Sequence, residues 1–203
     1  MMYGSFGNLG FVRDTVPTEL LEKLKSEIAS VDKTSNKCNN ILAGNIEEEY
    51  KLSKYHDELA TYVTSLSNGY AAGFDLTRTA KDLSPNDLEL YTYWVNIQQK
   101  HEFNPMHTHD GLYSFVIWLE VPYTIQEELA NVSCSGSNMP RPGMFSFIYT
   151  NIFGEIREAE FPVDNTYEGT IFLFPACLPH MVYPFSSSDK ARISISGNLR
   201  KRQ

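Results

Sequence analysis

Two histidines two residues apart, His107 and His109, are the side chains of this sequence best placed to do chemistry. On an extended strand residues i and i+2 share a face, so both imidazoles can reach one metal ion. A third histidine, His180, follows an apolar run and the turn Pro175-Ala-Cys-Leu-Pro179. Arg192 comes twelve residues later, in Arg192-Ile193-Ser194-Ile195-Ser196. There alternation puts Arg192, Ser194 and Ser196 on one face and the two isoleucines on the other. An arginine heading a polar strand face suits a site that grips a carboxylate through two parallel hydrogen bonds. Plainer readings exist for each feature. A His-x-His pair arises by chance among five histidines, and an arginine can simply pair with a neighbouring acid. His56 and His101 stand among polar residues and read as surface positions. Cys38, Cys134 and Cys177 lack metal-ligand spacing, and there is neither a Gly-rich phosphate loop nor a Gly-x-Ser-x-Gly elbow.

The elements that must position these residues divide the chain. Leu20, Leu21, Leu24 and Ile28 follow Pro17 at helical spacing, and Leu59, Tyr62, Val63 and Leu66 mark a second helix over 53–70. Residues 9–12 predict a short strand at a sheet edge, and 32–40 a polar loop. From Asp87 the period becomes two: Leu88, Leu90, Thr92, Trp94 and Asn96 alternate with Glu89, Tyr91, Tyr93 and Val95. Further strands are predicted over 113–121, 144–150, 169–174, 180–184 and 191–197, with 125–142 a long loop of the kind that often serves as a lid. The expected fold is α+β, mainly β. An antiparallel jelly-roll follows helices packed on one face, all in one domain, with residues 1–86 helical and residues 87–199 forming the β core.

Composition narrows the partners. In 203 residues, 17 Lys and Arg against 25 Asp and Glu give a formal charge of −8, which disfavours nucleic acid. The one basic run, Arg200-Lys201-Arg202, reads as a solvated tail. An apolar content of 42% is enough for a core, and no apolar run is long enough to span a membrane. The first residues lack the pattern of a secretory signal, and three widely spaced cysteines suggest reduced thiols, so a cytoplasmic location is expected.

Taken in order, Trp94-x-Asn96, His107-x-His109, Ser114, Gly169-x5-Pro175-x4-His180 and Arg192-x-Ser194 resemble the 2-oxoglutarate- and Fe(II)-dependent oxygenases. The likeness is to the prolyl-hydroxylase-like branch often encoded by phages and marine bacteria. It is clearest over residues 88–199 and extends weakly to Gly10-Phe-Val, the Pro17 helix and Leu42-Ala-Gly-Asn-Ile. The resemblance implies a double-stranded β-helix with Fe(II), 2-oxoglutarate and O2. It also implies hydroxylation of a small-molecule or peptidyl substrate with release of succinate and CO2. His107 and His180 match the family's iron ligands. Arg192 matches the residue that holds the distal carboxylate of 2-oxoglutarate, assisted by Ser194. Asn96 and Tyr93 fall on the strand that commonly lines the co-substrate pocket. One position departs from the pattern: the family carries Asp or Glu where His109 stands.

Strand alternation puts His109 on the face of His107 and Asp110 opposite it. Asp110 is the alternative third ligand if the strand bulges at Gly111. Fe(II) with a 2-oxoglutarate dianion and three neutral imidazoles sums to zero charge, against −1 with a carboxylate ligand. Protons should compete with the metal below about pH 6.5, the ordinary histidine value. Two rivals remain. A cupin would use His-x-His and a later His but lacks its Glu here and leaves Arg192 unexplained. A non-enzymatic jelly-roll binding protein would use the aromatic residues, 13% of the chain, purely as core.

Overall fold

The computed structural model describes residues 9–74 and 87–202. The chain runs β1 (Val12–Thr15), α1 (Thr18–Ala29), β2 (Glu48–Leu52), α2 (His56–Gly73), β3 (Leu88–Gln98), β4 (Asn104–His107) and β5 (Tyr113–Glu120). It continues through α3 (Ile125–Ala130), β6 (Phe145–Thr150), β7 (Ile156–Phe161), β8 (Thr170–Pro175), β9 (His180–Val182) and β10 (Arg192–Lys201). Antiparallel pairing builds a six-stranded sheet, β1-β8-β5-β10-β3-β2, and a four-stranded sheet, β4-β9-β6-β7. This is the double-stranded β-helix expected from the sequence.

The central strands have two apolar faces because both are covered. On β5, Tyr113, Phe115, Ile117 and Leu119 join the helices, while Val116 and Trp118 turn into the space between the sheets. On β8, Ile171 and Leu173 meet Leu20, Leu24, Leu59 and Val63, whereas Phe172 and Phe174 join the inter-sheet cluster. Phe172 is fully buried there, with the rings of Phe11, Trp118 and Phe161 centred 4.6–5.0 Å away. Burying a phenylalanine is worth about 1.5–3 kcal/mol from transfer alone. Gly197 is required by this packing: a Cβ there would lie 2.4 Å from the Phe115 ring.

Several elements differ from the sequence-based expectation, each for a local reason. The N-terminal region is not purely helical, since β1 and β2 form the two edges of the larger sheet; its residues 1–8 and 75–86 lie outside the described residues. The first strand begins at Val12, and Pro17 caps α1 rather than entering it. The stretch 125–142 is not one loop: α3 is capped by Thr124, whose side chain accepts from the Glu127 backbone while Glu127 reaches back, a full capping box. On β3 the alternation changes phase. Leu199 pairs Leu90 and Asn198 pairs Thr92, so Tyr91 is an inserted bulge. Leu88 and Leu90 therefore share the helix-covered core with Tyr93 and Val95, opposite Trp94 and Asn96. Among the described residues, no helix is long and apolar enough to cross a membrane.

Candidate active site

His107 ends β4 and His180 opens β9, and the two are direct cross-strand partners. His109 lies past the end of β4, where its backbone N–H donates to the Ala176 carbonyl at 2.9 Å. This bond, rather than strand alternation, sets its position. The three rings converge, with centroids 4.3 Å (107–180), 4.8 Å (107–109) and 5.0 Å (109–180) apart. One nitrogen of each lies within 4.8 Å of the other two, and Asp110 does not belong to this group. Asp110 is exposed and lines an adjoining groove instead.

The protonation of these imidazoles follows from their partners. His107 Nδ1 is 2.7 Å from the Pro105 carbonyl and His180 Nδ1 is 3.0 Å from that of Leu178. A carbonyl only accepts, so both Nδ1 atoms carry the hydrogen and both Nε2 lone pairs are free. Burial lowers all three rings from the usual histidine range, His109 to about 4 and His180 to about 3, with His107 also lowered. Protons thus compete for these nitrogens at lower pH than the ordinary value of 6.5 suggests. Phe145, Phe174 and Trp94 supply the apolar surroundings. Three neutral imidazoles, two of them anchored from behind by carbonyls, form a donor set that fits Fe(II).

Arg192, Ser194 and Ser196 line the same cavity as the three histidines, as do Trp94, Asn96 and Gln98 from the neighbouring β3. Arg192 is 2% exposed. Its N–H groups donate to Gln98 Oε1 (2.7 and 3.3 Å), Tyr123 Oη (2.6 Å) and the carbonyls of Gly143 (3.0 Å) and Tyr183 (3.2 Å). Every one of these acceptors is neutral, and among the described residues Arg192 forms no ion pair. Gly143 has φ +69°, and a Cβ there would strike the Tyr123 ring at 2.9 Å, so only glycine brings this carbonyl to the guanidinium beside Tyr123. Asn96 accepts from Trp94 Nε1 and donates to Ser196 and, at longer range, Ser194.

Tyr93 is not in the cavity. Its hydroxyl donates to the Glu27 carboxylate at 3.1 Å and accepts from the Tyr55 backbone, on the helix-covered side of the sheet. The odd and even positions of β3 face opposite ways, so Tyr93 and Asn96 cannot line one pocket. Residues that the sequence reading missed are Gln98 and Tyr123, which hold Arg192, and Glu49 and Asn104 on the cavity wall. Gln98 was legible as the next residue in the Trp94–Asn96 row. Glu49 sits in Glu-Glu-Tyr-Lys-Leu, a short run that takes its extended form from its pairing with β3 and gives no sign of a buried acid.

A sequence profile of the 2OG-Fe(II) oxygenase family matches residues 92–198, while no curated protein matches the chain. Among solved structures, a Pseudomonas putida prolyl-4-hydroxylase is similar over 96% of this chain and 94% of its own, with TM-score 0.57 and 16% identity. A 2OG-Fe(II) oxygenase-family oxidoreductase from Burkholderia pseudomallei is similar over 95% and 86%, with TM-score 0.57 and 14% identity. Streptomyces hygroscopicus HygX, with nickel, 2-oxoglutarate and hygromycin B bound, covers 95% and 83%, with TM-score 0.56 and 11% identity. At these identities the structural likeness carries the fold, and the profile, spanning more than half of the chain, carries the family. The chain belongs to the 2-oxoglutarate- and Fe(II)-dependent oxygenases, enzymes that use Fe(II), 2-oxoglutarate and O2.

Proposed function

We propose that His107, His109 and His180 hold Fe(II), and that Arg192, with Ser194 beside it, receives the distal carboxylate of 2-oxoglutarate. The observation that carries this reading is the buried guanidinium without a counter-ion in the same cavity as three converging neutral imidazoles. A buried cation surrounded by neutral acceptors is costly unless an anion completes it. Bound iron supplies the coordination positions at which the keto acid and O2 react.

The chain's own residues do the rest. Arg192 orients the carboxylate, exchanging one or more of its contacts to Tyr123 and Gln98 for it. Asn96 fixes Ser194 and Ser196 at the side of the pocket, and Trp94, Phe145 and Phe174 keep water from the imidazoles. Tyr93 takes no share in binding. Hydroxylation of a small molecule or a peptidyl side chain follows, with the whole of residues 1–203 acting as one domain. The adjoining groove, about 320 Å³ and lined by His107, His109, Asp110, Tyr91 and Lys51, gives such a substrate access to the metal.

The test is to titrate the protein with Mn(II) and then with N-oxalylglycine, a stable 2-oxoglutarate mimic, and to follow succinate release with Fe(II) and 2-oxoglutarate. One metal per chain, a mimic whose binding weakens when Arg192 is replaced, and succinate production are expected. Metal binding that survives loss of both His107 and His180 sinks the assignment.

A further inference from the structure

Three glutamates are almost completely buried: Glu27, Glu49 and Glu128. Two of them are saturated. Glu27 accepts from the backbone N–H groups of Ser53 and Lys54, both at 2.7 Å, and from the Tyr93 hydroxyl. Glu128 accepts from the backbone N–H groups of Ser186 and Ser187, at 2.9 and 2.7 Å, and from the Ser187 hydroxyl. These two tie α1 to the β2–α2 turn and α3 to the segment before β10. Glu49 is different. It is 1% exposed, its Oε2 is enclosed without any hydrogen-bond partner, and among the described residues no cation pairs with it.

A second acceptor stands beside it in the same state. Asn104 Oδ1 is also enclosed and unpartnered. Both side chains press on the bare Cα of Gly44: a Cβ there would lie 2.2 Å from Asn104 Oδ1 and 2.9 Å from Glu49 Oε1. The strap carrying Gly44 is held down by Asn45, whose N–H donates to the Phe103 carbonyl at 2.8 Å. Glu49 is also in register with Asn96 across the β2–β3 ladder. It therefore shares the cavity face of the sheet, and Glu49, Asn104 and Gly44 line the cavity that holds the three histidines and Arg192.

We propose that Glu49 and Asn104 are the recognition point for the primary substrate, and that this substrate presents a cationic nitrogen, an ammonium or a guanidinium. The proposal rests on the reading of the cavity as the oxygenase active site. Two oxygens without a donor call for a ligand that brings several hydrogens, which a charged nitrogen does and a hydroxyl does not. Burial, with the like charge of Glu102 nearby, pushes the Glu49 carboxyl up to about 7. An arriving cation relieves that penalty by pairing with the ionised form, which gains charge-assisted hydrogen bonds. The cavity then has opposite signs on two walls, Arg192 for the co-substrate and Glu49 for the substrate. That polarity keeps the two ligands from exchanging places.

The test uses the full chain loaded with Mn(II) and N-oxalylglycine, titrated calorimetrically with matched pairs: L-arginine against L-citrulline, and putrescine against 1,4-butanediol. Wild type is expected to prefer each cation over its neutral counterpart by at least tenfold. In Glu49→Gln that preference vanishes while Mn(II) and N-oxalylglycine bind as in wild type. If Glu49→Gln does not fold, Asn104→Leu replaces it, with a smaller loss of the same preference. A wild type that binds metal and N-oxalylglycine but treats cation and isostere alike overturns the proposal, as does a preference that survives Glu49→Gln. A wild type that binds neither metal nor N-oxalylglycine overturns instead the reading of the cavity on which the proposal rests.

Discussion

The six-stranded sheet treats charge differently on its two faces. Toward α1 and α2 it presents Tyr50, Leu52, Val95, Ile117 and Ile195, and the buried charge packed there, Glu27, is fully hydrogen-bonded. Among the described residues, the unpartnered buried side-chain atom on that side is the neutral Tyr70 hydroxyl. Toward the smaller sheet, a guanidinium lacks a counter-ion and a carboxylate oxygen lacks any donor. Two of the three imidazoles there hold their free nitrogens toward one point. Folding alone does not favour such an arrangement, because an unpaired buried charge costs more than an unpaired hydroxyl. The helix-covered face is complete as a folded object, and the cavity face is complete only with ligands.

The largest contrast comes from removing histidines. His107→Ala and His180→Ala should each retain no Fe(II) in elemental analysis, with the melting temperature of the metal-free protein unchanged or raised. For the third position, His109→Ala should lose iron and turnover, His109→Asp should recover some of both, and Asp110→Asn should be nearly silent. A dead Asp110→Asn beside an active His109→Ala would move the ligand to Asp110.

Arg192→Met comes next. A lost charge-assisted hydrogen bond is worth about 1.5–3 kcal/mol, so 2-oxoglutarate should bind roughly ten- to a hundredfold more weakly while metal content stays the same. Calorimetry with N-oxalylglycine reads this directly.

The helix-covered face should answer in stability rather than in binding. Glu27→Ala strands two backbone N–H groups and the Tyr93 hydroxyl, and should cost about 3 kcal/mol in urea unfolding with metal binding kept.

Glu49 sharpens the comparison through pH. Its carboxyl is raised from 4.5 to about 7 on folding, so the unfolded state releases this proton first. Stability contributed by this group therefore falls as pH rises from about 4.5 to 7 and stays low above, by about 3 kcal/mol. Glu49→Gln should remove that slope and raise stability at pH 8. Equal slopes in both proteins would mean the carboxyl is not buried in its charged form.

The smallest effect is expected for Tyr93→Phe. It should lose about 1–2 kcal/mol, for the bond donated to Glu27 and the one accepted from the Tyr55 backbone, and leave 2-oxoglutarate affinity untouched. A weakened affinity would return Tyr93 to the pocket.

What could be read from the sequence followed from residues whose neighbours are local or periodic. That His107, His109, His180, Arg192 and Ser194 come together around one cavity was legible because their order along the chain is distinctive and, for Arg192 and Ser194, strand alternation is rigid. His109 is placed instead by its bond to Ala176. Alternation failed for Leu88 and Leu90 because the bulge at Tyr91 shifts the phase, and a bulge depends on the partner strand, here Leu199 and Asn198. The capping box at Thr124 and Glu127 was present in the sequence, yet the Ser, Gly and Pro residues after it masked the short helix. β2, β4 and β7 were not among the predicted strands because Glu-Glu-Tyr-Lys-Leu, Asn-Pro-Met-His and Ile-Arg-Glu-Ala-Glu-Phe owe their extended form to the ladders they join. The isolation of Glu49 was invisible for the same reason: a residue is unpartnered only with respect to a finished fold.

The wall formed by Leu42, Ala43, Gly44, Ile46 and Glu49 precedes residues 92–198, the stretch matched by the family profile, whereas the three histidines and Arg192 all lie within it. Much of the wall facing the histidines is thus encoded ahead of the stretch that carries them. It is joined to that stretch by the β2–β3 ladder and the Asn45–Phe103 bridge, with Asn104 completing it from within 92–198. A transplant of residues 38–52 from another such protein is expected to change the wall that faces the three histidines while leaving the histidines and Arg192 in their own strands. If that wall sets selectivity, as proposed for Glu49, one exchange of a contiguous segment alters it, where a wall drawn from many stretches would need many coordinated substitutions.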